Sequence, residues 1–318
     1  MNLLDVYFHN KKIGVLKEHN SRLSFKYSDD ATEAIAHQLP LQKEAFGDKE
    51  TRSFFSNLLP EGDVVKKIAQ IKQVSLNNPF ALLRELGGEC AGAVSLYPQD
   101  MTPIFDDTLE EVSEEELATL LNKLSQTPLL MGEGIRLSLA GAQEKLALTI
   151  FPDDDKYYKP SDKYISTWIL KPENRNFPDL IYNEYFCMKL AGLMGLNVAE
   201  CKIRMFGSVT AYMTKRFDRQ NTVQRIQQED FCQGLGLSNK KYQRTEGGPS
   251  IKQCFQFIHN NLANKAKDEL HFLKSIAFIF NDLKDNLDSA IVNADSLELE
   301  ENSCPYTNMH QVIKDIVS

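Results

Sequence analysis

Hydrophobic and polar positions alternate at the start of the chain. Residues 3–16 read as a strand, a turn at His9-Asn10-Lys11-Lys12 and a returning strand Ile13-Gly14-Val15-Leu16, with Leu23 to Tyr27 as a third strand. The pattern then changes to helical spacing. Thr51 stands where a cap would precede Phe54, Phe55, Leu58 and Leu59, and Pro60 and Gly62 stand as stops. Asn78-Pro79 opens a second helix with Leu82, Leu83 and Leu86 on one face, which Gly87-Gly88 closes ahead of a strand from Ala91 to Tyr97. Residues 1–100 therefore read as a self-contained α+β unit of modal domain size. Residues 101–132 predict a connector, in which the acidic run Asp106 to Glu116 is a solvated face and helix N-terminal charge ahead of Leu117, Leu120, Leu121 and Leu124.

The stretch Ser138-Leu-Ala-Gly-Ala-Gln-Glu-Lys145 sits between the apolar approach Ile135, Leu137, Leu139 and a second strand-like run, Leu146 to Ile150. It has two readings. One is an ordinary β-hairpin turn. The other is a cradle in which the small residues Ala140, Gly141 and Ala142 let amide N–H groups approach an anion. The residues beyond Ile150 favour the cradle. Phe151 to Lys163 reads as a polar hairpin loop, and Ile165 to Lys171 is a β-branched and aromatic strand ending in a lysine. Asn183-Glu184 then opens a helix with Phe186, Leu190, Leu193 and Met194 on one face. A glycine-containing hairpin, a strand lysine and a helix glutamate, in that order, are the parts of a kinase N-lobe. Strands at Ala199 to Arg204 and Thr210 to Phe217 come next, then helices at Gln228 to Leu235, Ile251 to Leu262 and Glu269 to Phe280. Glu229 and Asp230 read as helix N-terminal acids rather than catalytic groups.

Composition narrows the partners. The chain of 318 residues is too long for one compact core and suggests about two domains. No apolar run approaches the ~18 residues of a membrane span, and residues 1–5 lack the features of a signal peptide. The six cysteines form no CxxC pair, and Cys187 and Cys232 fall in apolar helical patterns, so reduced core thiols and a cytoplasmic location are expected. A net charge of −8 argues against direct nucleic-acid binding while leaving room for a local basic patch. A dinucleotide-binding oxidoreductase is excluded because no GxGxxG follows a strand and opens a helix.

The motifs Arg136 to Lys145, Ile169-Leu-Lys-Pro172, Asn183-Glu-Tyr185, Lys215-Arg-Phe-Asp-Arg219 and Gln228 to Gln233, with Phe54 to Pro60 and Gly87 to Val94 before them, stand in one order. In that order the chain resembles the HipA-type serine/threonine kinases of bacterial toxin–antitoxin systems, from residue 1 to about residue 280. The resemblance implies an α+β fold: an N-terminal subdomain over 1–100, the connector, a kinase N-lobe of antiparallel sheet plus helix over 133–219, and the start of a helical C-lobe over 220–318. It implies ATP with Mg2+ as cofactor. Ala140, Gly141, Ala142, Gln143, Glu144 and Lys145 would form the phosphate loop. Lys171 would hold the phosphates and Glu184 would pair with it. Lys215, Arg216 and Phe217 would contact the adenine, although Phe217 reads equally as a core aromatic and Lys215 stands where relatives often carry an acid. Ser138 would be the autophosphorylated serine. The implied partners are a protein substrate of the translation apparatus, typified by an aminoacyl-tRNA synthetase, and a helix-turn-helix antitoxin of HipB type that brings the complex to DNA. No membrane partner is implied.

After Phe280 the pattern departs from the family. The expected catalytic loop, Asn-x-Asp-x-His-x-Lys-Asn, and the metal-binding strand after it are replaced by Asn281-Asp-Leu-Lys-Asp-Asn-Leu-Asp-Ser289 and an acidic tail. The nearest echoes are Asn293-Ala-Asp295, making Asp295 the candidate base, and Lys314-Asp-Ile316, making Asp315 the candidate metal ligand. This leaves two expectations. The chain is a HipA-type kinase, or it is a truncated, catalytically inactive relative that binds nucleotide or the antitoxin.

Overall fold

The computed structural model describes residues 2–124, 136–141, 143–174, 178–193, 197–237 and 247–262. The predicted N-terminal hairpin is present as β1 (Asn2–Phe8) and β2 (Lys11–His19), joined through His9 and Asn10 with φ of 46° and 67°. Both central residues left-handed is the geometry that matches strand twist in a two-residue turn. β3 (Arg22–Tyr27) pairs with β2, and β4 (Val94–Pro98) pairs with β1, giving an antiparallel sheet in the order β3-β2-β1-β4. Alternation turns Leu4, Val6 and Phe8 inward against α1 (Asp48–Ser56), α2 (Gly62–Lys72) and α3 (Pro79–Leu86).

Two expectations are corrected in this unit and one holds. Thr51 is no cap: α1 begins three residues earlier, behind Gly47, and the Thr51 side chain is buried with its hydroxyl donating to the Phe46 carbonyl. Gly62 does not end helical structure but begins α2, whose inward residues are Val64, Ile68 and Ala69. Asn78 does cap α3, its side chain accepting the Ala81 N–H at 3.0 Å.

The second sheet comes after the connector strand β5 (Glu111–Val112) and the Ser113-capped helix α4 (Glu114–Lys123). It comprises β6 (Leu146–Leu148), β8 (Trp168–Pro172), β9 (Cys201–Phe206) and β10 (Val209–Lys215) in the order β6-β8-β10-β9, all antiparallel. Trp168, Leu170, Ala211 and Met213 pack with the α4 leucines, while Tyr212 packs on the other face with Ile181 and Tyr182 of α5 (Leu180–Leu193). The loop predicted over 151–163 contains β7 (Tyr157–Tyr158), which pairs with β5. The helix expected over 228–235 is one turn, α6 (Phe231–Gly234), opened by a capping box between Asp230 and Gln233, as the helix N-terminal reading of Asp230 expects. Ile251–Leu262 is helical (α7), whereas the helix expected over 269–280 lies outside the described residues.

Among the described residues, 136–141 and 143–150 do not pair as the expected hairpin. Leu137 pairs instead with Glu89 of the N-terminal unit, through Glu89 N–H to the Arg136 carbonyl and Ser138 N–H to the Glu89 carbonyl, both 2.7 Å. Gly88 permits this approach, since a Cβ there would stand 2.8 Å from Arg136. Leu137, Leu139 and Ala147 thereby join the N-terminal core. The apolar pattern predicts burial of these residues correctly, but the partner lies far upstream, beyond the reach of local pattern.

Beneath this contact lies a buried ion cluster. Arg216 takes both Asp218 oxygens in a fork (2.9 and 2.7 Å), reaches Glu89 at 3.1 Å and donates to the Ser166 hydroxyl at 2.8 Å. Arg219 holds Glu89 at 3.0 Å, Asp218 at 2.9 Å and the Cys90 and Gly92 carbonyls. Burial pushes the Asp218 carboxyl up, but Arg216 and Arg219 overcome it and hold the group down at about 2. Glu89, likewise opposed by burial, is lowered by Arg219, Arg216 and Arg225. The stability these carboxylates contribute is fully present above the ordinary carboxylate range and is lost as pH falls toward 2. Glu89→Gln or Asp218→Asn leaves a buried guanidinium uncompensated and should cost about 3–5 kcal/mol, read as a lower urea midpoint at pH 7 with a smaller loss relative to wild type near pH 3.

Candidate functional site

Strand alternation sets the site. With Trp168, Leu170 and Pro172 facing α4, Lys171 is turned to the α5 face of the sheet. Its register partner across the sheet is Tyr212, whose ring centroid lies 5.6 Å from the Lys171 ammonium. Glu184 stands in the second turn of α5 and forms an ion pair with Lys171. The strand lysine and helix glutamate are thus brought together as expected, thirteen residues apart in sequence.

The small-residue loop brings Lys145 near this pair. Gly141 has φ of +108°, a backbone conformation that residues with a Cβ rarely adopt, so the position takes glycine for its backbone; the nearest atom to a Cβ there would be the Lys145 Nζ at 2.9 Å, the movable end of a side chain. Lys145 is 7% exposed and donates to the Ala140 carbonyl at 2.6 Å. Burial pushes its ammonium down to about 8, Lys171 adds to the effect, and Glu184 and Glu61 oppose it. Gln143 Nε2 is buried with no hydrogen-bond partner among the described residues. Two ammonium groups, an unsatisfied amide donor and a backbone that takes glycine at Gly141 suit an oligophosphate. Ala142 lies outside the described residues, as do Asp295 and Asp315.

The loop is also tied to the N-terminal unit. Ser138 is fully buried and donates to the Leu58 carbonyl at 2.6 Å. Glu61 N–H donates to the Gly141 carbonyl at 3.3 Å, and Lys67 of α2 meets Glu144 at 2.9 Å. Sequence reasoning misses Glu61 and Lys67. The Phe54–Pro60 motif marks the corner that carries Leu58, but no local signal points across to residue 144.

At the end of β10 the three expected adenine residues part company. The Lys215 and Arg216 amides donate to the Glu200 and Thr167 carbonyls, each at 2.8 Å, and the Arg216 side chain belongs to the ion cluster. Phe217 is 75% exposed, which removes the core-aromatic reading. Lys215 is exposed. The thiols also divide: Cys232 is buried as expected, but Cys187 is exposed on α5; none of the five described cysteines is in a disulfide. No helix among the described residues is long and apolar enough to cross a membrane.

Residues 4–97 match the family model of the HipA N-terminal domain and residues 137–289 that of the HipA-like C-terminal domain. The chain is 37% identical over 305 residues to a putative kinase, Y4mE, of Sinorhizobium fredii, covering 91% of this chain and 72% of that protein. It belongs to the HipA family of kinases. The serine/threonine-protein kinase toxin HipA of Shewanella oneidensis is 34% identical over 216 residues, which span 65% of this chain and 49% of that relative. A solved complex of Shewanella oneidensis HipA with HipB and operator DNA superposes with a TM-score of 0.66 at 27% identity, over 89% of this chain and 68% of the HipA-family chain it matches. The two antiparallel sheets with their packed helices are the mixed helix-and-sheet HipA fold.

Because Lys145 titrates below its ordinary 10.5, the unfolded chain binds more protons between about pH 8 and 10.5. Its penalty on stability is therefore full below about pH 8 and relieved above it. Lys145→Met should raise the melting temperature at pH 7 by roughly 2–4 °C, and the gain should shrink at pH 10. A lower melting temperature at pH 7 would show that the bond to Ala140 outweighs the burial of charge.

Proposed function

We propose that this chain is an ATP-dependent serine/threonine protein kinase of HipA type, with residues 140–145 as its phosphate loop. The observation that carries the reading is the Lys171–Glu184 pair near a loop that holds the buried Lys145 beside a glycine of positive φ. Lys171 would hold phosphate oxygens, with Glu184 fixing its position. Lys145, released from the Ala140 carbonyl, and Gln143 would supply further donors. Bound ATP supplies the transferable phosphoryl group, and Mg2+ neutralises its charge. Backbone groups of Lys215 to Phe217 would meet the adenine, rather than the Arg216 side chain or the Lys215 and Arg216 amides, which donate to the Glu200 and Thr167 carbonyls. Asp295 would orient the accepting hydroxyl and Asp315 would serve the metal.

Ser138 is the proposed autophosphorylation site. Its hydroxyl is buried on the Leu58 carbonyl, so modification requires residues 136–139 to part from Glu89 and Leu58. The likeness to a HipA–HipB–operator complex supports a helix-turn-helix antitoxin of HipB type as partner, with DNA reached through it; a protein of the translation apparatus as substrate rests on the family resemblance alone. The absence of a recognisable Asn-x-Asp-x-His-x-Lys-Asn loop after Phe280 favours a second reading, a non-catalytic relative that binds nucleotide or the antitoxin. Loss of such positioned groups costs about 10²–10³ in rate each.

Mass spectrometry after incubation with ATP and Mg2+ separates the two readings. The kinase reading expects phosphate on Ser138 in the wild-type chain and none in Lys171→Ala or Asp295→Asn. A folded, ATP-binding wild-type protein that stays unmodified would leave only the binding role.

A further inference from the structure

The corner between α1 and α2 belongs to the N-terminal unit, yet it touches the phosphate loop at three successive heights. The Leu58 carbonyl takes the Ser138 hydroxyl before the loop. The Glu61 amide takes the Gly141 carbonyl at its tip. Lys67, in the second turn of α2, takes Glu144 just before the strand β6 resumes. The Glu61 carboxyl also faces Lys145, which it holds toward the charged form against burial. None of these contacts comes from the sheet that carries Lys171.

We infer that the α1–α2 corner is a structural part of the nucleotide site, with Lys67 a positioning residue that sets the phosphate loop through Glu144. This inference rests on the nucleotide-binding reading of residues 140–145. A loop of small residues has little side-chain packing of its own and gains its position from what it leans on. The Glu61 amide fixes the Gly141 peptide from one side, and the Lys67–Glu144 pair fixes the loop's exit. A loop held at entry, tip and exit presents its amides in one arrangement, which lowers the ordering cost of binding.

The test exploits charge sign. If Lys67 and Glu144 acted by direct attraction or repulsion on a polyanion, Lys67→Glu would weaken nucleotide binding and Glu144→Lys would strengthen it. A positioning pair behaves differently: each single reversal weakens binding, and the double exchange Lys67→Glu/Glu144→Lys restores it. Titration of the full chain with trinitrophenyl-ATP, with Mg2+ present, should show each single variant roughly 3-fold or more weaker and the double variant within about 2-fold of wild type, in keeping with a partly exposed pair. Melting temperatures serve as the folding control, and the rescue by the double exchange holds even where a single variant is destabilised. Tighter binding by Glu144→Lys, additive losses in the double variant, or unchanged singles would each overturn the positioning role while leaving nucleotide binding intact. A wild-type chain that binds no trinitrophenyl-ATP would overturn the nucleotide reading, and the positioning role with it.

Discussion

Four charged side chains removed from water, Glu89 and Asp218 against Arg216 and Arg219, carry a desolvation cost that only their mutual contacts offset. The contacts are directional: a bidentate fork, a Glu89 carboxylate oxygen shared by both guanidinium groups, and carbonyls of Cys90 and Gly92 that accept further N–H groups. Such a cluster tolerates little displacement, so it fixes how the end of β10 meets the turn ahead of β4. Once Glu89 is held, its backbone receives Leu137 as a strand partner, and the chain is delivered to Ser138 and the loop over residues 140–145. The sheet, the loop and the N-terminal helices are therefore registered against one another through a few buried atoms.

From this constraint the site arises by periodicity. β8 must bury Trp168 and Leu170 on α4, so Lys171 has only the opposite face available. α5 crosses that face and brings Glu184 to it. The same alternation in β10 sets Tyr212 beside the lysine. The chemistry of the site is thus a by-product of how the sheet buries its apolar side, while the loop over residues 140–145 takes its position from the N-terminal unit as well as from the strand β6 that follows it.

Much of this is legible in the residues. The three N-terminal strands, the Asn78 cap, the strand lysine and the helix glutamate all come from period-2 and period-3.6 patterns and short-range turn chemistry. The motifs Gly87 to Val94 and Lys215 to Arg219 are legible as family features, but their meaning is not: they are the two halves of the ion cluster, and a guanidinium expected beside an adenine is spent on Glu89 and Asp218. Long-range pairing is what pattern cannot supply. Leu137 looks like one arm of a hairpin because its neighbours alternate, and nothing local distinguishes a partner at 148 from one at 89. α2 escapes notice because Gly62, a stop signal by composition, adopts a positive φ at the helix start.

On the proposed reading, residues 140–145 meet nucleotide in a position set jointly by the lobe sheet and the α1–α2 corner. Hydrogen exchange of the full chain, with and without Mg2+ and ATP, tests it most directly. The account predicts that nucleotide slows exchange in two separate segments together, residues 138–146 and residues 58–68, with the N-terminal strands unchanged. Protection confined to the loop and to the segments around Lys171 and Glu184, with residues 58–68 exchanging as before, would contradict it.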